Sequence, residues 1–167
     1  MISEESGMTK KTAEVESSLT VERETSASRE QVWEVVADGW TYSQWVVGNS
    51  RMRAVDPNWP QTGSTISHSV GVWPLLLDDV TVVEDCKPLE QLVLLAKGRP
   101  FGKARITLRL FDTDDGGCRI EMAEVPVGAP MGWVPKRVAL AAAFPRNREC
   151  TWRLAAIAER RAPDDTQ

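Results

Sequence analysis

The sequence predicts an α+β domain in which a curved antiparallel sheet of about six or seven strands wraps one long C-terminal helix. Three observations point to it. The stretch from Trp133 to Arg161 is alanine-rich and repeats apolar residues at helical spacing. The chain before it holds a series of segments that alternate apolar and polar residues, separated by turn chemistry. Two short helical segments interrupt that series directly after its first strand.

Residues 1–17 are Ser, Glu, Lys and Thr with little to bury, and are expected to form a disordered tail. The domain is expected to span 18–161, with a second tail at 162–167. From Ser18 to Thr25, Leu19 and Val21 alternate with Thr20, Glu22 and Glu24, the period of a half-buried first strand. Ser28 and Gln31 have capping-box spacing, and Val32, Trp33, Val35 and Val36 give the following short helix its apolar face until Asp38 and Gly39 stop it. A second helix or turn at 41–45 gathers Trp40, Tyr42 and Trp45, which are expected to wedge both short helices against one end of the sheet.

Arg51 to Asp56 reads as a short strand ended by Asp56, Pro57, Asn58 and Pro60. In Ser64 to Val72, the residues Ile66, His68, Val70 and Val72 share one face, so the single histidine lies on the apolar side. After a corner at Trp73 and Pro74, Leu75 to Asp85 and Glu90 to Lys97 form two more strands divided by Lys87 and Pro88. Lys103 to Asp112 turns Ala104, Ile106, Leu108 and Leu110 inwards. The sequence Asp114, Asp115, Gly116, Gly117 then makes a hairpin turn into Arg119 to Val125, where Ile120, Met122 and Glu124 share the inner face.

The stretch Pro126 to Pro135 is stiff and leads into the terminal helix. Val134, Val138, Ala141 and Ala142, then Cys150, Leu154, Ile157 and Ala158, form its apolar stripe, while Arg146, Arg153 and Arg160 fall on a different, wet face. Glu149 is placed to pair with Arg153. Pro145 lacks an amide hydrogen and crowds the preceding turn, so a kink or brief break is expected at Phe144 and Pro145.

Composition narrows the function. A formal charge of -4 over 167 residues, without a basic stripe, excludes a nucleic-acid partner. No run approaches the roughly 18 apolar residues of a membrane span, and the first thirty residues are too polar for a secretory signal, so a cytoplasmic protein is expected. Cys86, Cys118 and Cys150 lack metal-site or dithiol spacing and are expected to be packing residues of a reduced protein. Seven tryptophans stand against one tyrosine and three phenylalanines, a choice that suits a core, an interface or a ligand pocket. The oligomeric expectation is a monomer or a homodimer.

The passages VERETSASREQVWEVVADGWTYSQW, GSTI, DDGGCRIEMAEVPVG and RNRECTWRLAAIAER resemble the START-like, or SRPBCC, superfamily of helix-grip folds, especially its bacterial polyketide cyclase/dehydrase and lipid-transport branch. The resemblance covers nearly all of Ser18 to Arg161. It implies a cavity between the concave sheet face and the terminal helix, in which relatives hold sterols, lipids, polyketides or other hydrophobic molecules. It transfers no catalytic set.

Within such a cavity His68 is the first candidate, as an orienting contact or, in the alternative, as a core histidine with one satisfied hydrogen bond. Glu124 is the second, its alternative being a structural ion pair with a nearby arginine such as Arg99 or Arg137. Trp45, Trp73 and Trp133 stand beside turns or the exit, where a pocket mouth is expected, and with Met122 and Val138 they are the expected lining residues. Asp78 and Asp79, like Asp112, Asp114 and Asp115, read as turn and solvated-face residues, and no metal site is expected. No nucleotide-loop, nucleophile-elbow or zinc-protease motif is present. The leading expectation is a binding protein for a small hydrophobic or aromatic, lipid- or polyketide-like ligand, needing no cofactor. The alternatives are a polyketide cyclase or dehydratase using His68 and Glu124 as acid and base, and a non-enzymatic interaction or stress-response module.

Overall fold

Alternation and turn chemistry resolve into seven strands, two short helices and one long helix in a computed structural model, which describes residues 20–72, 74–98, 102–128 and 136–161. In chain order these are β1 (Thr20–Thr25), α1 (Arg29–Ala37), a 3-10 turn (Gly39–Thr41), α2 (Tyr42–Trp45), β2 (Asn49–Val55), β3 (Thr65–Val72), β4 (Leu75–Lys87), β5 (Gln91–Gly98), β6 (Gly102–Asp112), β7 (Cys118–Val127) and α3 (Lys136–Arg161). The strands form one curved antiparallel sheet in the order β1-β7-β6-β5-β4-β3-β2. The run from β2 to β7 is a meander of neighbours, and β1 returns to pair with β7, with Val21 opposite Met122. The tails, the corner residue Trp73 and most of the passage into α3 lie outside the described residues.

Helix α1 begins where its cap requires. The Ser28 hydroxyl accepts from the Gln31 amide at 3.3 Å, and the Ser28 amide donates to Gln31 Oε1 at 2.8 Å. Val32, Val35 and Val36 are buried, while Trp33 is half-buried against the same core. The Asp38 carboxylate then caps the 3-10 turn by accepting from the Trp40 amide at 3.2 Å. The expected aromatic wedge is made by different rings. Tyr42 and Trp45 are buried, but Trp40 is 58% exposed, because the turn that buries Thr41 directs its neighbour outwards. Trp59 takes its place: its ring lies 6.3 Å from that of Tyr42, and its indole donates to the Val36 carbonyl at 3.1 Å.

Helix α3 packs on β1, β7, α1 and α2. Cys150, Leu154 and Ala158 are buried there as their spacing predicts, joined by Thr151 and Ala155. The Glu149–Arg153 pair forms at 2.8 Å on the outer face. No break occurs at Pro145: the helix runs through it unbroken. Phe144 and Pro145 are exposed, while the buried residues of the following turns, Asn147, Cys150, Thr151 and Leu154, hold the axis. Trp152 is 53% exposed and stands on the surface side of α3. Among the described residues no helix is long and apolar enough to cross a membrane.

Leu154 has no exposed surface, so Leu154→Ala should lower stability by about 3 kcal/mol. Trp152→Ala should change it by less than about 1 kcal/mol. Urea unfolding midpoints of the two variants would check this, and equal losses would mean that α3 is not held by its inner stripe.

Candidate functional site

Because α3 leans on the β1–β7 side of the sheet, the inner faces of β3 to β6 are left partly uncovered. A cavity of about 520 Å³ lies there. Period-two alternation sends His68 and Val70 of β3, Leu77 and Asp79 of β4, and Leu94 and Ala96 of β5 into its wall. Ala104 and Ile106 of β6, then Met122 and Glu124 of β7, continue the same surface. Helix α3 contributes Ala143, Arg146, Asn147 and Cys150, and the α2 end contributes Tyr42 and Trp45. The small side chains Ala96, Ala104 and Ala143 leave the space that larger ones would fill. Gly71 also lines it, with φ +114° and so close to β4 that an added Cβ would stand 2.3 Å from the Leu75 carbonyl oxygen. Leu75 and Leu77 line the cavity and are themselves exposed, which puts an apolar mouth at the β3–β4 corner.

Most of the wall is apolar, and its polar groups are grouped. His68 pairs across the ladder with Asp79, so both point inwards, and Ile66 pairs in the same way with Thr81. His68 Nε2 and Thr81 Oγ1 share a hydrogen bond of 2.9 Å, and Thr81 Oγ1 shares another of 3.3 Å with the Tyr42 hydroxyl. The Tyr42 ring centroid lies 5.4 Å from those of both His68 and Trp45. His68 Nδ1 and Trp45 Nε1 are buried without a hydrogen-bond partner. Burial pushes the His68 pKa down, with the Asp79 carboxylate pulling the other way, so the imidazole is neutral at pH 7. Burial also pushes the Tyr42 phenol up to about 12, against the opposite effect of its hydrogen bond with Thr81.

Glu124 reaches the same cavity, where it is held in an ion pair with Arg146. Burial opposes the charge of Arg146, but the carboxylate outweighs it and raises the arginine pKa above its ordinary value. Among the described residues the partner is Arg146; Arg99 and the side chain of Arg137 lie outside them. Sequence spacing grouped Arg146 with Arg153 and Arg160 on the wet face. It stands instead at the margin of the inner stripe, one turn before Cys150, and its long side chain crosses to β7. Cys150 lines the cavity, its thiol accepts from the Val47 amide at 3.3 Å, and burial pushes its pKa up, away from the thiolate form.

Of the residues singled out in the sequence, Trp45, His68, Met122 and Glu124 line this one cavity. Trp45 sits deep in its wall, only 2% exposed, and not at the mouth. Trp73 and Trp133 lie outside the described residues, and Val138 falls within α3 with its side chain outside them. Asp79 departs from its expected solvated position: it is buried in mid-strand, whereas Asp78 beside it is exposed and pairs with Arg53 at 3.0 Å. Residues 78 and 79 face opposite sides of the sheet, and the alternation of β4 was the signal that separates them. The same alternation would have found Thr81. Arg146 carried no signal in one dimension. Among the described residues no group of three or more His, Cys, Asp or Glu side chains converges as a metal site.

The model of the family described as polyketide cyclase / dehydrase and lipid transport matches residues 16–159. The chain belongs to this family. No curated protein matches the sequence. Among solved structures, the family's fold recurs in a Staphylococcus aureus protein of unknown function, at 13% identity and a TM-score of 0.67, covering 86% of this chain and 93% of the other. A Rhodobacter sphaeroides protein is 21% identical with a TM-score of 0.65, covering 86% and 93%. The Zhui aromatase/cyclase from a Streptomyces species is 15% identical with a TM-score of 0.65, covering 88% and 96%. At such identities these likenesses concern the helix-grip fold alone.

The depressed His68 pKa makes stability depend on pH. Below about pH 6.5 an unfolded histidine takes up a proton that the buried one resists, so the unfolded state binds more protons and stability falls as pH falls. The loss should level off once the folded His68 titrates as well. The chain has a single histidine, so His68→Phe should remove this component between pH 7 and 5.5. Denaturation midpoints of both proteins across that range measure it, and identical slopes would show that His68 is not buried as described.

Proposed function

We propose that this chain binds one small hydrophobic or aromatic molecule of lipid or polyketide type between the inner sheet face and α3. The observation that carries the reading is the space itself: about 520 Å³, walled largely by aliphatic and aromatic side chains, with a few convergent polar groups. Such volume and lining suit a drug-sized apolar ligand, whose burial releases ordered water at roughly 25 cal/mol per Å² of apolar surface. Membership of a family described by polyketide and lipid chemistry supports the same class. The open space also favours it over a module whose interior is filled by its own side chains. Three free cysteines agree with action in the reducing cytoplasm.

An enzymatic reading has one observation in its favour, that His68 and Glu124 line the same cavity. A neutral imidazole can remove a proton beside a carbonyl, as cyclisation or dehydration of a poly-β-ketone requires. Against it, Glu124 is engaged in an ion pair by Arg146, which competes with any contact to a substrate. Binding without turnover is the better supported of the two.

Native mass spectrometry of protein purified from its own host should show a stoichiometric bound compound, released and identified on denaturation. Ala104→Trp fills the cavity floor, and should lower occupancy by at least about tenfold while the protein stays folded. An empty wild-type protein whose tryptophan fluorescence ignores lipids, flavonoids and aromatic polyketides would refute the reading. Turnover of a poly-β-ketone that His68→Ala abolishes, with affinity unchanged, would replace it by the enzymatic one.

A further inference from the structure

We propose that the tip of the β3–β4 hairpin, carrying Leu75, Leu76 and Leu77, inserts into the surface of an anionic lipid bilayer and sets the mouth of the cavity against it. The docking is read from the outside of the molecule. Its purpose, exchange of the bound molecule with the bilayer, rests on the binding reading above.

Among the described residues the hairpin outreaches its neighbour. Strand β4 pairs with β3 from Leu75, opposite Val72, but with β5 only from Thr81, opposite Ala96. The first residues of β4 therefore have a partner strand on one side, and Leu75, Leu76 and Leu77 are 81%, 41% and 46% exposed. A run of exposed leucines on a half-paired strand is what soluble proteins ordinarily avoid, and it marks a contact surface.

The arrangement of the leucines favours a fluid partner. Leu75 and Leu77 line the cavity mouth, and alternation turns Leu76 to the opposite face of the strand. A second protein surface covers one face of such a hairpin, whereas lipid surrounds both. The exposed leucine surface is nevertheless small, so insertion needs a second, electrostatic attraction to hold.

Charge supplies it. The formal charge of the chain is -4, but its acids are concentrated away from the mouth. Glu84, Asp85, Glu90, Asp112, Asp114 and Asp115 stand at the β4–β5 and β6–β7 turns, the opposite end of the sheet. No acidic residue occurs between Glu90 and Asp112. At the mouth end, Lys97 and Lys103 face each other across the β5–β6 ladder, Lys103 is exposed, and Arg51 is exposed on β2. The acids described at that end are engaged or buried: Asp78 pairs with Arg53 at 3.0 Å, Glu124 pairs with Arg146, and Asp79 is buried. The molecule thus presents leucines flanked by cations, the combination that anionic head groups over an acyl layer accept.

The test is co-sedimentation of the full chain with vesicles of phosphatidylcholine alone or mixed equally with phosphatidylglycerol. Binding should favour the anionic vesicles by at least about tenfold and fall as salt rises from about 50 to 500 mM. Leu76→Glu and Lys97→Glu, neither in the cavity wall, should each weaken it at least about fivefold while leaving the unfolding midpoint and the bound compound unchanged. In the wild-type protein, amide hydrogen exchange at residues 75–78 should slow on adding the anionic vesicles, a readout that holds even if a variant fails to fold. No preference for anionic vesicles, protection confined to another surface, or a vesicle-independent dimer that Leu76→Glu dissociates would overturn the inference. A protein that carries its compound but ignores the vesicles refutes the docking and leaves the binding reading standing. One that docks with an empty cavity does the reverse.

Discussion

Leu154, Cys150 and Ala158 are buried where α3 meets β1, β7, α1 and α2, and this packing decides where the long helix can lie. A helix held along one side of a curved sheet cannot also cover the other side. Its inner stripe therefore closes the core at the β1–β7 end and leaves space above β3 to β6. The cavity is a geometric consequence of one long helix on a concave surface, kept open because alternation puts alanines at Ala96 and Ala104.

The interior left open is neither uniformly apolar nor strongly charged. Glu124 and Arg146 form an ion pair, and the carboxylate raises the arginine pKa against the burial that opposes its charge. The Tyr42–Thr81–His68 series satisfies three buried polar side chains in part, and stops one hydrogen bond short at His68 Nδ1.

How legible this was in the sequence varies with the range of the interaction. Strands β3, β6 and β7 were readable almost residue by residue, since a period of two follows from the pleat and depends on nothing distant. The Ser28–Gln31 cap was readable because its partners are three residues apart. The substitution of Trp59 for Trp40 in the aromatic cluster was not, because Trp59 reaches the short helices from beyond β2. Nor was the continuity of α3 through Pro145, where the local cost of proline is outweighed by the burial of the turns that follow it.

By itself the sequence determined the order of elements, the inward faces of the strands, the placing of His68, Met122 and Glu124 on those faces, and the family. These rest on backbone periodicity, and periodicity is written along the chain. Tertiary structure alone decided that Arg146 pairs with Glu124, that Thr81 joins His68 to Tyr42, and that Asp79 faces the cavity wall together with Trp45. Each of those contacts joins residues from different elements, so its energy depends on how far apart the folded sheet and helix come to rest.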